Sequence, residues 1–190
     1  MKRLFGKQGA TTEPVDLNEA MREVIALSLS ELRRKRVLPR LELAEDLPPV
    51  EGDRVQLQQV ILNLLLNALD AMSGVEDCPT PLVIRTARDE DGRVRLSVQD
   101  AGVGFDPQAA DRLFQPFYTT KREGMGIGLS VSRSIIESHH GRLWATLNDG
   151  PGATFSFSIP HASEAAADAS CVGEVPATAP TDAERVGGDS

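Results

Sequence analysis

The chain has few of several things, and each scarcity excludes something. Aromatic residues make up only 4% of its 190 positions, and histidine occurs three times. There are two cysteines, Cys78 and Cys171, far apart and without metal-ligand spacing, which reads as free thiols in a reducing compartment. No apolar run is long enough to cross a bilayer. The start, "MKRLFGKQGA", has basic residues but no apolar stretch of signal-peptide length, so a cytoplasmic location is expected. Basic residues are outnumbered, and the formal net charge is -8. That sign disfavours general nucleic-acid binding and attraction to an anionic membrane.

What is present suits one globular unit with a core of ordinary size. From His161 onward the sequence turns to Ala, Ser, Asp, Pro and Gly, as in "PATAPTDAERVGGDS", and a disordered tail is expected over residues 161–190. Residues 1–13 read as a lead-in, conceivable as the end of a preceding helix. Between them, residues 14–160 carry the folding signals. Asp16 can cap a helix running through "LNEAMREVIALSLSELRRKR". "RLELAEDL" alternates like a strand, and Asp53 can cap a second helix. "PLVIRTARDEDGRVRLSVQD" is a hairpin about Asp91-Gly92. "LSVSRSIIESHHG" is a helix that Gly141 should end, and "RLWATLNDGPGATFSFSIP" is a second hairpin turning near Asp149 to Gly152. The layout predicts an α+β fold: a two-layer sandwich with a mixed, mostly antiparallel sheet covered by about three helices.

Three stretches carry more polarity than a core should tolerate. In "VILNLLLNALDAM", Asn63, Asn67 and Asp70 fall within about 60° of one another on a helical wheel, and Gln56 and Gln59 share the same stripe. The apolar residues fill the remaining faces, so the helix should be largely buried with one polar slit. Unpartnered polar groups there would cost roughly 1–3 kcal/mol each. The slit is therefore either a solvent-facing edge or a place where amide oxygens meet a hard cation such as Mg2+. The second stretch, "DAGVGF", puts Asp100 at a strand end before Gly102 and Gly104. A carboxylate there can accept from an amine, and glycines let backbone approach a flat ligand, although a plain Asx turn has the same letters. In the third, "GMGIGLSVSRS", Gly124, Gly126 and Gly128 open straight into a helix, which makes an anion site of unpaired N–H groups or simply a flexible loop. Between the last two lies "LFQPFYTTKREG", with aromatic anchors Phe114, Phe117 and Tyr118 before Lys121 and Arg122.

Together "QQVILNLLLNALDAM", "VQDAGVGF", "LFQPFYTTK" and "GMGIGLSVSRSIIESHHGRLWA" resemble, in order, the N, G1, F and G2 boxes of histidine protein kinases. The resemblance implies the Bergerat ATP-binding fold shared with gyrase, Hsp90 and MutL, with ATP and Mg2+ as ligands. It implies Asn67 as the Mg2+ ligand, with Asn63 helping to order metal and water. It implies Asp100 on the adenine amino group, Gly102 and Gly104 shaping the adenine pocket, and Thr154 touching adenine through water. Gly124, Gly126 and Gly128 would form the lid hinge and phosphate-facing turn. Phe114 and Leu129 would join the nucleotide site, and Lys121 or Arg122 would meet the γ-phosphate. Asp70 belongs to the pattern without a firm role.

Relatives that hydrolyse ATP or phosphorylate serine carry a general-base Glu where this chain has Asn63, and an amide cannot take a proton. The resemblance thus favours a histidine kinase over an ATPase. The phospho-accepting histidine and its dimerising hairpin are not recognisable here. His139, His140 and His161 are poorly placed for that role. The implied partner is a histidine-bearing hairpin domain, and indirectly a response regulator, with the chain a monomer by itself. The alternative is a nucleotide-binding interaction module without phosphotransfer.

Overall fold

The structure is a computed structural model that describes residues 12–73, 81–119 and 126–162. Cys78, Lys121, Arg122, Gly124, Cys171 and the expected tail beyond Ala162 lie outside the described residues. Among the described residues seven strands and four α-helices follow in order: β1 Glu13–Val15, α1 Leu17–Leu27, α2 Leu29–Arg34, β2 Pro39–Glu42, β3 Val50–Gly52, α3 Arg54–Ala71, β4 Leu82–Arg88, β5 Val94–Gln99, α4 Gly128–Ser138, β6 Arg142–Leu147 and β7 Ala153–Ile159. A 3-10 turn, Pro107–Arg112, stands between β5 and α4.

Five strands form one sheet in the order β2-β4-β5-β7-β6. Only β2 and β4 run parallel. β1 and β3 pair antiparallel as a small separate sheet. Period-two alternation turns Leu82 and Ile84 of β4, Val94, Leu96 and Val98 of β5, and Phe155, Phe157 and Ile159 of β7 onto the helical layer, where all are buried. They meet Leu57, Val60, Ile61, Leu64, Leu65 and Leu69 of α3 and Ile136 of α4. The fold is the expected two-layer α+β sandwich.

Several local expectations hold for the expected reason. Asp16 accepts from the Glu19 N–H at 3.0 Å, and Asp53 accepts from those of Val55 and Gln56 at 2.9 and 3.1 Å. Gly92, at φ 79°, turns the β4–β5 hairpin. Others are corrected. The first predicted helix breaks at Ser28, whose N–H is shared between the carbonyls of Val24 and Ile25. α2 restarts there with Leu32 buried. At the end of α4 the left-handed residue is His140, at φ 55°, while the Gly141 N–H closes back onto Ile136 O at 2.8 Å. Gly141 is still required, because a Cβ there would stand 2.5 Å from Ser158 O. β1 and β3 were not foreseen, being three residues each and set by their pairing rather than by pattern.

Candidate functional site

A cavity of about 730 Å³ opens between α3, the start of α4 and the strand ends of β5 and β7. That is ample for a nucleotide-sized ligand. Its wall is built from the polar stripe of α3, and Asn63, Asn67 and Asp70 all line it. The stripe is wider than expected: Leu62 and Leu66, assigned to the buried faces, are 37% and 38% exposed, and Leu66 joins the cavity wall.

Both ends of α3 are held by long-range contacts. At its start, the Asp53 N–H donates to His139 Nε2 at 3.0 Å. An acceptor at Nε2 leaves Nδ1 as the protonated nitrogen, and it donates to Ile135 O at 2.7 Å. Both ring nitrogens of His139 are thus engaged with backbone. At the other end Lys35 Nζ donates to Leu69 O at 3.3 Å, Asp70 Oδ1 at 2.8 Å and Ser73 Oγ at 2.8 Å. A cation at a helix C-terminus is favoured by the dipole, and this one also fixes Asp70 at the cavity rim.

Asp100 follows β5 directly and is 1% exposed. Its Oδ1 accepts from the Gly102 N–H at 2.9 Å and the Ala153 N–H at 3.3 Å. Oδ2 accepts from no other described residue, which leaves it for a ligand donor. Burial pushes the carboxyl pKa above its ordinary value, and the N–H groups of Gly102 and Ala153 offset this only in part. The surrounding backbone is packed tightly. A Cβ on Gly102 would lie 2.3 Å from Ala71 O, and one on Gly152, at φ +89°, would lie 2.2 Å from Asp100 O. Asn148 secures this end: its Nδ2 donates to Asp100 O at 2.7 Å and Pro151 O at 3.0 Å, and its Oδ1 accepts from Thr154 at 2.8 Å.

The far end of the cavity is made by the start of α4. Gly126 takes φ +63° and accepts from the Phe117 N–H at 2.9 Å. α4 begins at Gly128 with no side-chain cap, so its first N–H groups are open to an anion. Asn63 Nδ2 ties α3 to this turn, donating to Gly128 O at 3.3 Å and Ser132 Oγ at 3.1 Å. Aromatic packing closes the side wall: Phe105 meets Phe155 tilted and Phe114 meets it edge-on, with centroids 6.3 and 6.5 Å apart.

Of the residues expected from sequence, Asn63, Asn67, Asp100, Gly104, Gly126, Gly128 and Leu129 line this cavity. Gly102 is buried beneath it, and Phe114 supports Phe155 from behind. Thr154 is not in the wall. Its register on β7 turns the side chain to the sheet face opposite Phe155, where it serves Asn148. Asn148, Ser132 and Lys35 were missed, and nothing local in the sequence marks them. Phe155 could have been found from the alternation of "ATFSFSI".

The arrangement is a deep acceptor at one end, an apolar slot, and amides with an uncapped helix start at the other. It suits a flat heterocycle bearing an amino group joined to a polyanion. Among the described residues no group of three His, Cys, Asp or Glu could hold a metal, so a cation here would rest on the Asn67 amide and on the polyanion's own oxygens. The residues present fit such a pair.

Comparison with known proteins agrees. Residues 52–163 match the family described as histidine kinase-, DNA gyrase B-, and HSP90-like ATPase. The sensor protein FixL of Bradyrhizobium diazoefficiens is 42% identical over 163 residues, 85% of this chain and 32% of FixL. The chain thus spans about a third of that relative. The catalytic domain of the histidine kinase ThkA, free of nucleotide, is 36% identical with a TM-score of 0.69, over 79% of this chain and 95% of that domain. ThkA is also solved in complex with the response regulator TrrA. Full-length ShkA with AMPPNP is 27% identical with a TM-score of 0.71, over 82% of this chain and 32% of ShkA.

Proposed function

This chain belongs to the family of histidine kinase-, DNA gyrase B- and HSP90-like ATPases, and on that premise we propose that residues 14–160 are the ATP-binding catalytic domain of a sensor histidine kinase. The observation that carries the nucleotide reading is Asp100: a buried carboxylate with one oxygen held by backbone and the other left for the cavity. It accepts from the adenine amino group. Gly104 and Phe155 line the slot that would hold the ring, while Gly102 lets the Asp100 turn seat against α3. Asn67 would hold Mg2+ through its amide oxygen, and the uncapped turn at Gly128 and Leu129 would hold the phosphates; Lys121, proposed for the γ-phosphate, lies outside the described residues. ATP with Mg2+, when bound, supplies the γ-phosphoryl group and the cation that offsets its charge.

The protein's part in transfer is positioning and charge stabilisation. Asn63 offers no proton acceptor, because an amide does not take one at neutral pH. That suits an acceptor already nucleophilic, an imidazole on a hairpin domain outside this chain. A response regulator would then receive the phosphoryl group from that histidine. His139 is not such an acceptor, since both its ring nitrogens are engaged with backbone.

The test is titration with a fluorescent ATP analogue, with and without Mg2+. Wild type should bind, Asp100→Ala should lose binding, and Asn67→Ala should lose the Mg2+ dependence. A separate hairpin domain added with ATP should then acquire acid-labile phosphohistidine. Binding without labelling would point to an interaction module, and no binding at all overturns the reading.

A further inference from the structure

The nucleotide cavity lies on the helical side of the sheet, and the opposite face has a charge that the chain's overall composition does not suggest. By register Arg40 of β2, Arg85 of β4, Arg95 of β5 and Arg142 of β6 share this outer face. At the β2 edge they are answered: Glu42 takes both Arg40, at 2.9 Å, and Arg85. At the other edge they are not. Among the described residues Arg95 and Arg142 have no acidic partner. Both flank Ser158 of β7 in one row across three strands. Ser158 is 2% exposed and Ser156, one row away, is 5% exposed. Neither hydroxyl makes a hydrogen bond to another described residue. Beside them Trp144 carries Arg142 over its ring at 4.5 Å. The neighbouring hairpin acid Asp89 is used by its own turn, accepting from the N–H groups of Asp91 and Arg93.

Two unanswered guanidinium groups over two buried, unpartnered hydroxyls make a surface for carboxylates. We propose that this outer face, around Arg95, Arg142 and Ser158, docks the chain's own acidic segment, residues 163–190. The charge is complementary: that segment carries Glu164, Asp168, Glu174, Asp182, Glu184 and Asp189 against Arg185 alone. The origin is suitable too. β7 ends at Ile159, opposite Val94 and next to the Arg95–Ser158–Arg142 row. The chain is then pinned at Ala162, whose N–H donates to Pro49 O at 2.9 Å. Asp168 follows the pinned Ala162 by six positions, about 20 Å of extended chain at 3.3–3.6 Å per residue. The acids from Asp168 onward can therefore fold back onto the row from which their own strand emerges. A tether this short raises the effective concentration to the millimolar range, enough for weak ion pairs to hold. Docking there leaves the nucleotide cavity open and governs what else can reach the sheet.

Trp144 is the only tryptophan of the chain, so its emission reports this face alone. The test compares the full chain with a full-length variant in which the six tail acids become Gln or Asn. At low salt the variant should show red-shifted emission and stronger quenching by acrylamide. Arg95→Gln should give the same change, without adding to the tail variant. In 1 M salt, where the Debye length falls to about 3 Å, all should converge. Identical emission and quenching in the two chains at low salt overturns the proposal. So does a difference that depends on protein concentration, which would put the tail of a second copy there. A Trp144 response to phosphatidylserine vesicles, equal with and without the tail acids, would mark a membrane contact and overturns it too.

Discussion

The two ends of the cavity are built on different principles. At the Asp100 end, backbone packs on backbone: Gly102 and Gly152 stand where a single Cβ would meet a carbonyl oxygen at 2.3 and 2.2 Å. At the α4 end, side chains bridge gaps: Asn63 reaches Gly128 O and Ser132, and a Cβ on Gly128 would find its nearest neighbour, Asn63 Cγ, only at 3.9 Å. The first end is preorganised and has no room to adjust. The second has room, and on the proposed function it is the end where a transferable group and its products would come and go. A rigid recognition end and an adjustable reaction end would let a nucleotide be held by its base while its phosphates rearrange.

The largest effect expected from this contrast is on folding. Gly152→Ala adds a Cβ at a positive φ and directly against Asp100 O. Strain and overpacking together should cost about 3 kcal/mol or more. Gly102→Ala should approach that value. Gly128→Ala should stay within about 1 kcal/mol of wild type, since the space is open and Ala is the better helix former. Urea unfolding followed by circular dichroism reads all three. Comparable losses at Gly128 and Gly152 would break the distinction.

The next effect separates binding from stability at the rigid end. Asp100→Asn can keep the two backbone bonds on its carbonyl oxygen but turns an amide donor toward the cavity. Nucleotide affinity should fall about tenfold to a hundredfold, the cost of one mismatched buried hydrogen bond. Stability should not fall with it. The Asp100 pKa is raised in the folded chain, so the folded state binds more protons than the unfolded one between the ordinary carboxylate value and the raised one. Folding stability contributed by this group therefore declines as pH rises through that window and is flat above it. The Asn variant should lack that slope. Nucleotide binding should run the other way in wild type, weakening as pH falls through the raised value and the carboxylate takes a proton. Calorimetric titration and urea midpoints between pH 4 and 8, an interval set by the carboxylate range, check both signs.

How far the sequence alone leads follows the same division. Local chemistry was legible: Asp53 as a cap, Gly92 as a turn, and Asn63, Asn67 and Asp70 on one face of α3. Patterns of this kind are fixed within one or two turns of chain. The supports were not legible, because each is a contact across the fold. Lys35 reaches the end of α3 from 35 positions away, and Asn148 reaches Asp100 from 48. Thr154 was misplaced because one position of strand register decides which face a side chain takes. The helix break at Ser28 and the left-handed His140 were missed because each is set by packing that local propensity does not encode.

The smallest expected effect tests whether the adjustable end moves independently. Asn63→Ala removes both donations from Nδ2 and leaves Ser132, fully buried, without that partner. One hydrogen-bonded link lost should cost about 1 kcal/mol. Ser132→Ala alone should cost a similar amount, and the double variant little more than either, because the two residues share one link. The informative readout is amide hydrogen exchange. In Asn63→Ala the first bonded amides of α4, beginning with Val131, should exchange faster, while Gly102 and Ala153, which hold Asp100, keep their wild-type rates. Loosening confined to α4 means that Asn63 is a latch between two helices that can be opened without disturbing the base end. Equal loosening at both ends would mean that the cavity opens as one unit, and the contrast between its ends would describe packing only, not motion.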